Sequence, residues 1–151
     1  MKKSEFTRLV ETVFLPLEKK FKFKKTASDF HTNGVTITFQ NATTEVCLNY
    51  EIGDYPWLTI GNIINPKEDR ASLDWLLVEL GELEAPTTDA AFFPPEMEDD
   101  QLEPELRKKT EQLIQFGSEM LNGDFSVLPK LKTRADNYLA ECKKIADRYK
   151  A

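Results

Sequence analysis

The sequence predicts an α+β protein with one N-terminal helix, a four-stranded antiparallel meander and three C-terminal helices packed on one sheet face, all in a single domain over residues 1–151. Three observations carry that expectation. Apolar residues recur at helical spacing near the start, alternate with a period of two through the middle, and return to helical spacing after Pro66. Short turn-forming segments separate the alternating runs. At 151 residues with 40% hydrophobic and 11% aromatic side chains, the chain can bury one core.

In the first segment, Phe6, Leu9, Val10, Val13, Phe14 and Leu17 fall on one helical stripe, with Ser4 as the expected N-cap. The spacing predicts a helix over about residues 4–19, kinked or ended near Pro16, which lacks a donor and restricts Leu15. Alternation begins at Phe21 in "FKFKK" and continues in "GVTITFQ", "EVCLNYE" and "WLTIGNII". Val35, Ile37 and Phe39, then Val46, Leu48 and Tyr50, make the buried faces of two of these strands. Asn33-Gly34, "NATT" and Gly53-Asp54 before Pro56 supply the turns, and Gly61 marks a bulge or an early strand end.

After Pro66, Leu73, Leu76, Leu77 and Leu80 share a helix face behind a cap at Ser72 or Asp69, with Gly81 near its end. Residues 84–103 hold Pro86, Pro94 and Pro95 and read as a long exposed acidic loop. Pro104 sits in the first turn of the next helix, whose stripe runs through Leu106, Leu113, Ile114, Phe116, Met120 and Leu121 to a stop at Asn122-Gly123. From about Pro129 a last helix places Leu131, Ala135, Tyr138, Leu139, Cys142, Ile145 and Tyr149 on its stripe.

Charge is distributed unevenly. Between Ala71 and Leu106 there are eleven carboxylates and no Lys or Arg, whereas the rest of the chain carries twenty basic residues against fifteen acidic ones. An acidic block of this kind repels nucleic-acid backbones and attracts cationic surfaces, raising association rates and selecting partners. The basic and aromatic run "KKFKFKK" at residues 19–25 has the composition of a nucleic-acid surface, yet it also fits an edge strand whose lysines discourage edge-to-edge pairing. With a net charge of -6, the second reading is preferred and no nucleic-acid partner is expected.

The longest apolar run is far short of the ~20 residues that cross a bilayer, and "MKKSEFTRLVE" lacks the apolar centre of a signal peptide, so a cytoplasmic protein with no membrane partner is expected. Cys47 and Cys142 lie far apart without metal-type spacing and read as core thiols. The one histidine, His31, sits beside a predicted turn with no nucleophile framed near it. "EMEDDQLEPE" lacks the ligand spacing of a calcium loop, and the common nucleotide, zinc-protease and serine-hydrolase motifs are missing. No cofactor and no catalytic residue are expected.

The order of elements, together with "EMLNGDFSVLP" around Asn122, Gly123, Asp124 and Phe125, resembles small bacterial α+β proteins, some of which resemble immunity proteins of polymorphic toxin systems. That resemblance implies a cytoplasmic binder that occludes a toxin, and it transfers no individual site residue.

The sequence reading is therefore a non-catalytic interaction module that meets a basic protein partner through Glu96, Glu98, Asp99, Asp100 and Glu103, with Tyr55 and Trp57 of "GDYPWL" as rigid aromatic contacts. The alternatives are a small-molecule-binding protein or unrecognised enzyme with a site on the open sheet face or under the long loop, and a loop that only keeps the domain soluble.

Overall fold

A computed structural model of the chain describes residues 2–92 and 94–150. Helix α1 (Lys3–Val13) buries Phe6, Val10 and Val13. Its cap is Lys2, whose backbone N–H donates to the Glu5 carboxylate at 3.4 Å; Ser4, the expected cap, lies inside the first turn. The expected single helix breaks at Phe14, and α2 (Leu15–Phe21) restarts with Pro16 in its first turn, where a missing N–H costs nothing.

Lys22 ends α2 in the left-handed conformation at φ 62°. This turn displaces the first strand from its expected start. Phe21 closes the helix and Phe23, 1% exposed, enters the core from the connecting segment, so neither is a strand residue.

The sheet has five strands where four were expected: β1 (Lys24–His31), β2 (Gly34–Gln40), β3 (Thr44–Glu51), β4 (Trp57–Asn62) and β5 (Arg70–Ser72). They lie side by side in chain order, every neighbouring pair antiparallel. β5 is too short to show alternation, which is why its sequence does not announce it. β1 is an edge strand, as its lysines suggest, and a register shift between Lys25 and Ala27 further blunts that edge.

The register explains the two faces. Phe39, Val46, Ile60 and Ala71 form one row across the sheet and Ile37, Leu48 and Leu58 the next, all buried in a single core with residues of α1, α2 and the C-terminal helices. Opposite residues in antiparallel strands share a face, so this one face carries the core. The alternate residues form the second face, where Gln40, Glu45, Gly61 and Arg70 make one row and Thr38, Cys47, Thr59 and Ser72 another.

Two turns fix how the strands meet each other and the helices. The β1–β2 turn is Thr32-Asn33, one residue earlier than expected, because His31 pairs with Gly34. Gly34 is needed for proximity: a Cβ there would lie 2.4 Å from the Tyr50 carbonyl oxygen. At the β2–β3 turn, Asn41 Oδ1 accepts from the backbone N–H groups of Thr43 and Thr44, while its Nδ2 donates to the Phe21 carbonyl at 2.9 Å and the Leu121 carbonyl at 3.1 Å. One side chain thereby ties the sheet to helices at both ends of the chain.

Helix α3 (Leu73–Glu79) starts at Ser72, whose hydroxyl accepts from Trp75 N–H, and is closed by Gly81 at φ 77°. A single helical turn, α4 (Asp89–Phe92), interrupts the expected loop. A 3-10 turn at Asp99–Gln101 runs directly into α5 (Leu102–Phe116), and α6 (Ser118–Leu121) comes after Gly117. The expected three C-terminal helices are thus several segments of unequal length, with Asn122 ending α6 and Gly123 at φ 96°.

Helix α7 (Leu128–Arg148) starts where Pro129 leads the sequence to place it. Its apolar stripe exists, but only Leu128 and Leu131 are buried, while Leu139 and Tyr149 are 63% and 85% exposed. Trp75 of α3 meets Tyr138 edge-on at 5.5 Å and the Tyr138 hydroxyl donates to the Thr87 carbonyl, so Trp75 belongs to the α3–α7 contact.

Candidate functional site

The acidic run is held down at two points. Met97 is 5% exposed, and its backbone N–H donates to the Gly53 carbonyl at 2.9 Å; Leu102, which opens α5, is 3% exposed. Between and around these apolar anchors Glu96, Glu98, Asp99, Asp100 and Glu103 are all exposed. Glu98 starts the 3-10 turn, its backbone N–H donating to the Gln101 side-chain oxygen at 3.1 Å. The expected exposed loop is therefore a docked segment that presents its carboxylates outward.

Most of these carboxylates have no cation. Within the acidic block Asp74 pairs with Lys109, Glu79 with Arg134, and Glu103 with Arg107. The other eight, including Glu96, Glu98, Asp99 and Asp100, make no ion pair among the described residues. Uncompensated like charges repel one another, so they lower stability in the free protein and favour an incoming cation.

The two expected aromatic contacts part company. The bond from Met97 to Gly53 sets the acidic run beside the turn that carries Tyr55, but Tyr55 is half-buried and packs against the core. Trp57 is 37% exposed and pairs in register with Asn49, which places it on the second sheet face. Trp57 is thus a surface group, and Tyr55 packs against the core with part of its surface open to solvent.

A cavity of about 540 Å³, open to solvent, adjoins the acidic run. Phe6, Phe30 and Tyr50 supply its aromatic walls, and Glu5, Asp99 and His31 its polar ones. Phe6 and Tyr50 stack at 5.5 Å, and Lys3 Nζ lies 5.2 Å from the centre of the Phe30 ring. Burial, then the nearby carboxylates of Asp99 and Asp54, push the Tyr50 hydroxyl above its ordinary range. Four separate chain segments meet here, which hides the cavity from any reading of local motifs.

The second sheet face holds a polar cluster that the sequence also conceals. Glu45 is 9% exposed; it accepts from Arg70 Nη2 at 2.9 Å, from Gln40 Nε2 at 2.8 Å and from the Cys47 thiol at 3.2 Å. Arg70 reaches Glu45 from β5 across the strand between them because Gly61 intervenes, where a Cβ would lie 3.3 Å from Arg70 Cβ. Gly61 was the available signal: the register passes through it without a bulge, β4 ends one residue later at Asn62, and its role is close approach of a neighbour. Burial, reinforced by the hydrogen bond to Glu45, pushes the Cys47 thiol up, so this cysteine is a packed thiol and a poor nucleophile.

The basic run resolves into separate tasks. Lys19 and Lys20 lie in the last turn of α2, where cations favour the helix dipole, and Lys25 pairs with Glu11 at 2.8 Å. Among the described residues no group of three or more His, Cys, Asp or Glu side chains is arranged to hold a metal ion, and no helix is long and apolar enough to cross a membrane.

Comparison of the chain with protein-family models, curated proteins and solved structures finds no match.

Proposed function

We propose that this protein is a non-catalytic interaction module, of the immunity type, that binds a basic protein partner through its acidic end. The observation that carries this reading is the docked run from Glu96 to Glu103, whose carboxylates are exposed and, apart from Glu103, without an ion pair among the described residues. A segment anchored by Met97 and Leu102 loses less freedom on binding than a free loop, so more of its electrostatic attraction survives as affinity. A cationic toxin surface is a suitable target by charge.

The test is affinity purification of the tagged protein from its own source at low and high salt, followed by binding measurements on the variant Glu96→Gln, Glu98→Gln, Asp99→Asn, Asp100→Asn, Glu103→Gln. At ~0.5 kcal/mol for each exposed charge contact, the five changes weaken binding by roughly 50- to 100-fold at low salt. An unchanged affinity for the recovered partner refutes the proposal.

The cavity beside the run favours a second reading, a small-molecule-binding protein. Of the two positions expected for such a site, the cavity corresponds to the one under the long loop, since Asp99 and Leu102 line it at the end of the core face, and not to the open face of the sheet.

A further inference from the structure

We infer that the cavity between α1, the β1–β2 turn and the start of α5 is a receptor for a guanidinium group, an arginine side chain of the basic partner that would be anchored there while the acidic run engages the surface around it. The inference rests on the reading of the protein as a binder of a basic partner and deepens it by assigning a single anchoring side chain.

Three observations converge on this chemistry. The walls combine aromatic rings, Phe30 and the stacked pair Phe6–Tyr50, with the carboxylates of Glu5 and Asp99 at the rim. Planar guanidinium stacks on aromatic faces and bonds to carboxylates through several donors, which makes it a close chemical match for walls of these two kinds. The volume of about 540 Å³ lies within the range of ligand cavities and admits an arginine with its flanking backbone.

The second observation is that the chain already places a cation there. Lys3 Nζ sits 5.2 Å from the Phe30 ring centre, and Lys3 belongs to the exposed first turn of α1, from which its long side chain can swing away. Lys3 is thus an internal occupant of weak hold, and an incoming guanidinium competes with it.

The third is continuity with the acidic run. Asp99 belongs both to the exposed run and to the cavity rim, and Leu102, which pins the run, lines the same cavity. A cation steered toward the run arrives at the mouth of an aromatic pocket. Tyr50 lines the same cavity, and its uncharged hydroxyl offers a donor and an acceptor without a competing charge.

The probe is Nα-acetyl-arginine amide, titrated into the isotopically labelled full chain and followed by backbone amide shifts, with the uncharged isostere Nα-acetyl-citrulline amide as control. Expected is saturable binding in the range of ~1 mM for a fragment of this size, with shifts centred on Phe30, Gly34, Tyr50 and Asp99, and at least tenfold weaker response to the citrulline compound. Asp99→Asn should weaken binding several-fold. Lys3→Gln should strengthen it about two- to fivefold, whereas Lys2→Gln, one residue outside the cavity, should change it little.

Absence of localised shifts at 20-fold the expected constant, or equal response to arginine and citrulline compounds, overturns the inference. So does a Lys3→Gln effect no larger than that of Lys2→Gln, because general surface charge would then account for binding. A partner that binds through the acidic run but ignores Phe30→Leu leaves the interaction module standing and removes the anchor. Fragment binding in the cavity without any basic partner removes the module and leaves the receptor.

Discussion

Replacing Arg70 with alanine isolates the polar cluster on the second sheet face. The substitution strands Glu45, whose side chain is 11% exposed, with only Gln40 and the Cys47 thiol as donors. Breaking a fully buried ion pair costs ~3–5 kcal/mol, and an exposed pair contributes ~0–1 kcal/mol. Arg70 is 33% exposed in its side chain, so solvent can partly replace it, and the expected loss is about 2 kcal/mol by interpolation between those limits. With a urea dependence of ~2 kcal/mol per molar, the unfolding midpoint falls by about 1 M. Urea titrations followed by circular dichroism and tryptophan fluorescence measure it. Adding Glu45→Gln to Arg70→Ala removes the stranded charge and should recover at least half the loss. A midpoint shift below ~0.25 M shows that the pair contributes little, and a double variant less stable than the single shows that no stranded charge was relieved; either result refutes the reasoning.

Met97→Ala should release the acidic run, at a cost of ~2–3 kcal/mol for a buried methionine, and hydrogen exchange of amides 96–101 should accelerate before the rest of the chain opens. Gly34→Ala should destabilise by ~2 kcal/mol in urea titrations because its Cβ would meet the Tyr50 carbonyl at 2.4 Å. Because Tyr50 has a raised folded-state value, it contributes stability that is fully present below its ordinary value of 10.0 and lost as pH rises through the folded one. Unfolding measured from pH 8 to 11 should show that alkaline loss in the parent and a shallower loss in Tyr50→Phe.

Much of the sheet was legible because alternation survives wherever one face is buried. Val35, Ile37 and Phe39 and their partners in β3 fall where the period of two places them. The first strand was misplaced because the apolar phase of Phe21 and Phe23 continues through a left-handed residue that only three-dimensional packing selects. Periodicity in α7 identified which side chains share a stripe, yet it carries no information on whether a neighbour covers them. The acidic run was visible for the opposite reason, since exposed charge needs no partner to be counted. The Glu45–Arg70 pair and the aromatic cavity required strand register and the meeting of distant segments.

Asn41 has a consequence for the order in which the chain assembles. The meander around it uses neighbours in sequence and can form early, but the Asn41 amide gains its bond to the Leu121 carbonyl only by closing a loop of eighty residues. Such closure costs about 4 kcal/mol in chain entropy, which no single hydrogen bond repays. The bond therefore forms only when α6 packs as a whole, with Thr44 donating to Met120 at 2.7 Å beside it. Until then Asn41 holds the Phe21 carbonyl from the sheet without its bond to α6, so the N-terminal helices and the sheet reach their final rigidity together with the C-terminal half, as one cooperative event.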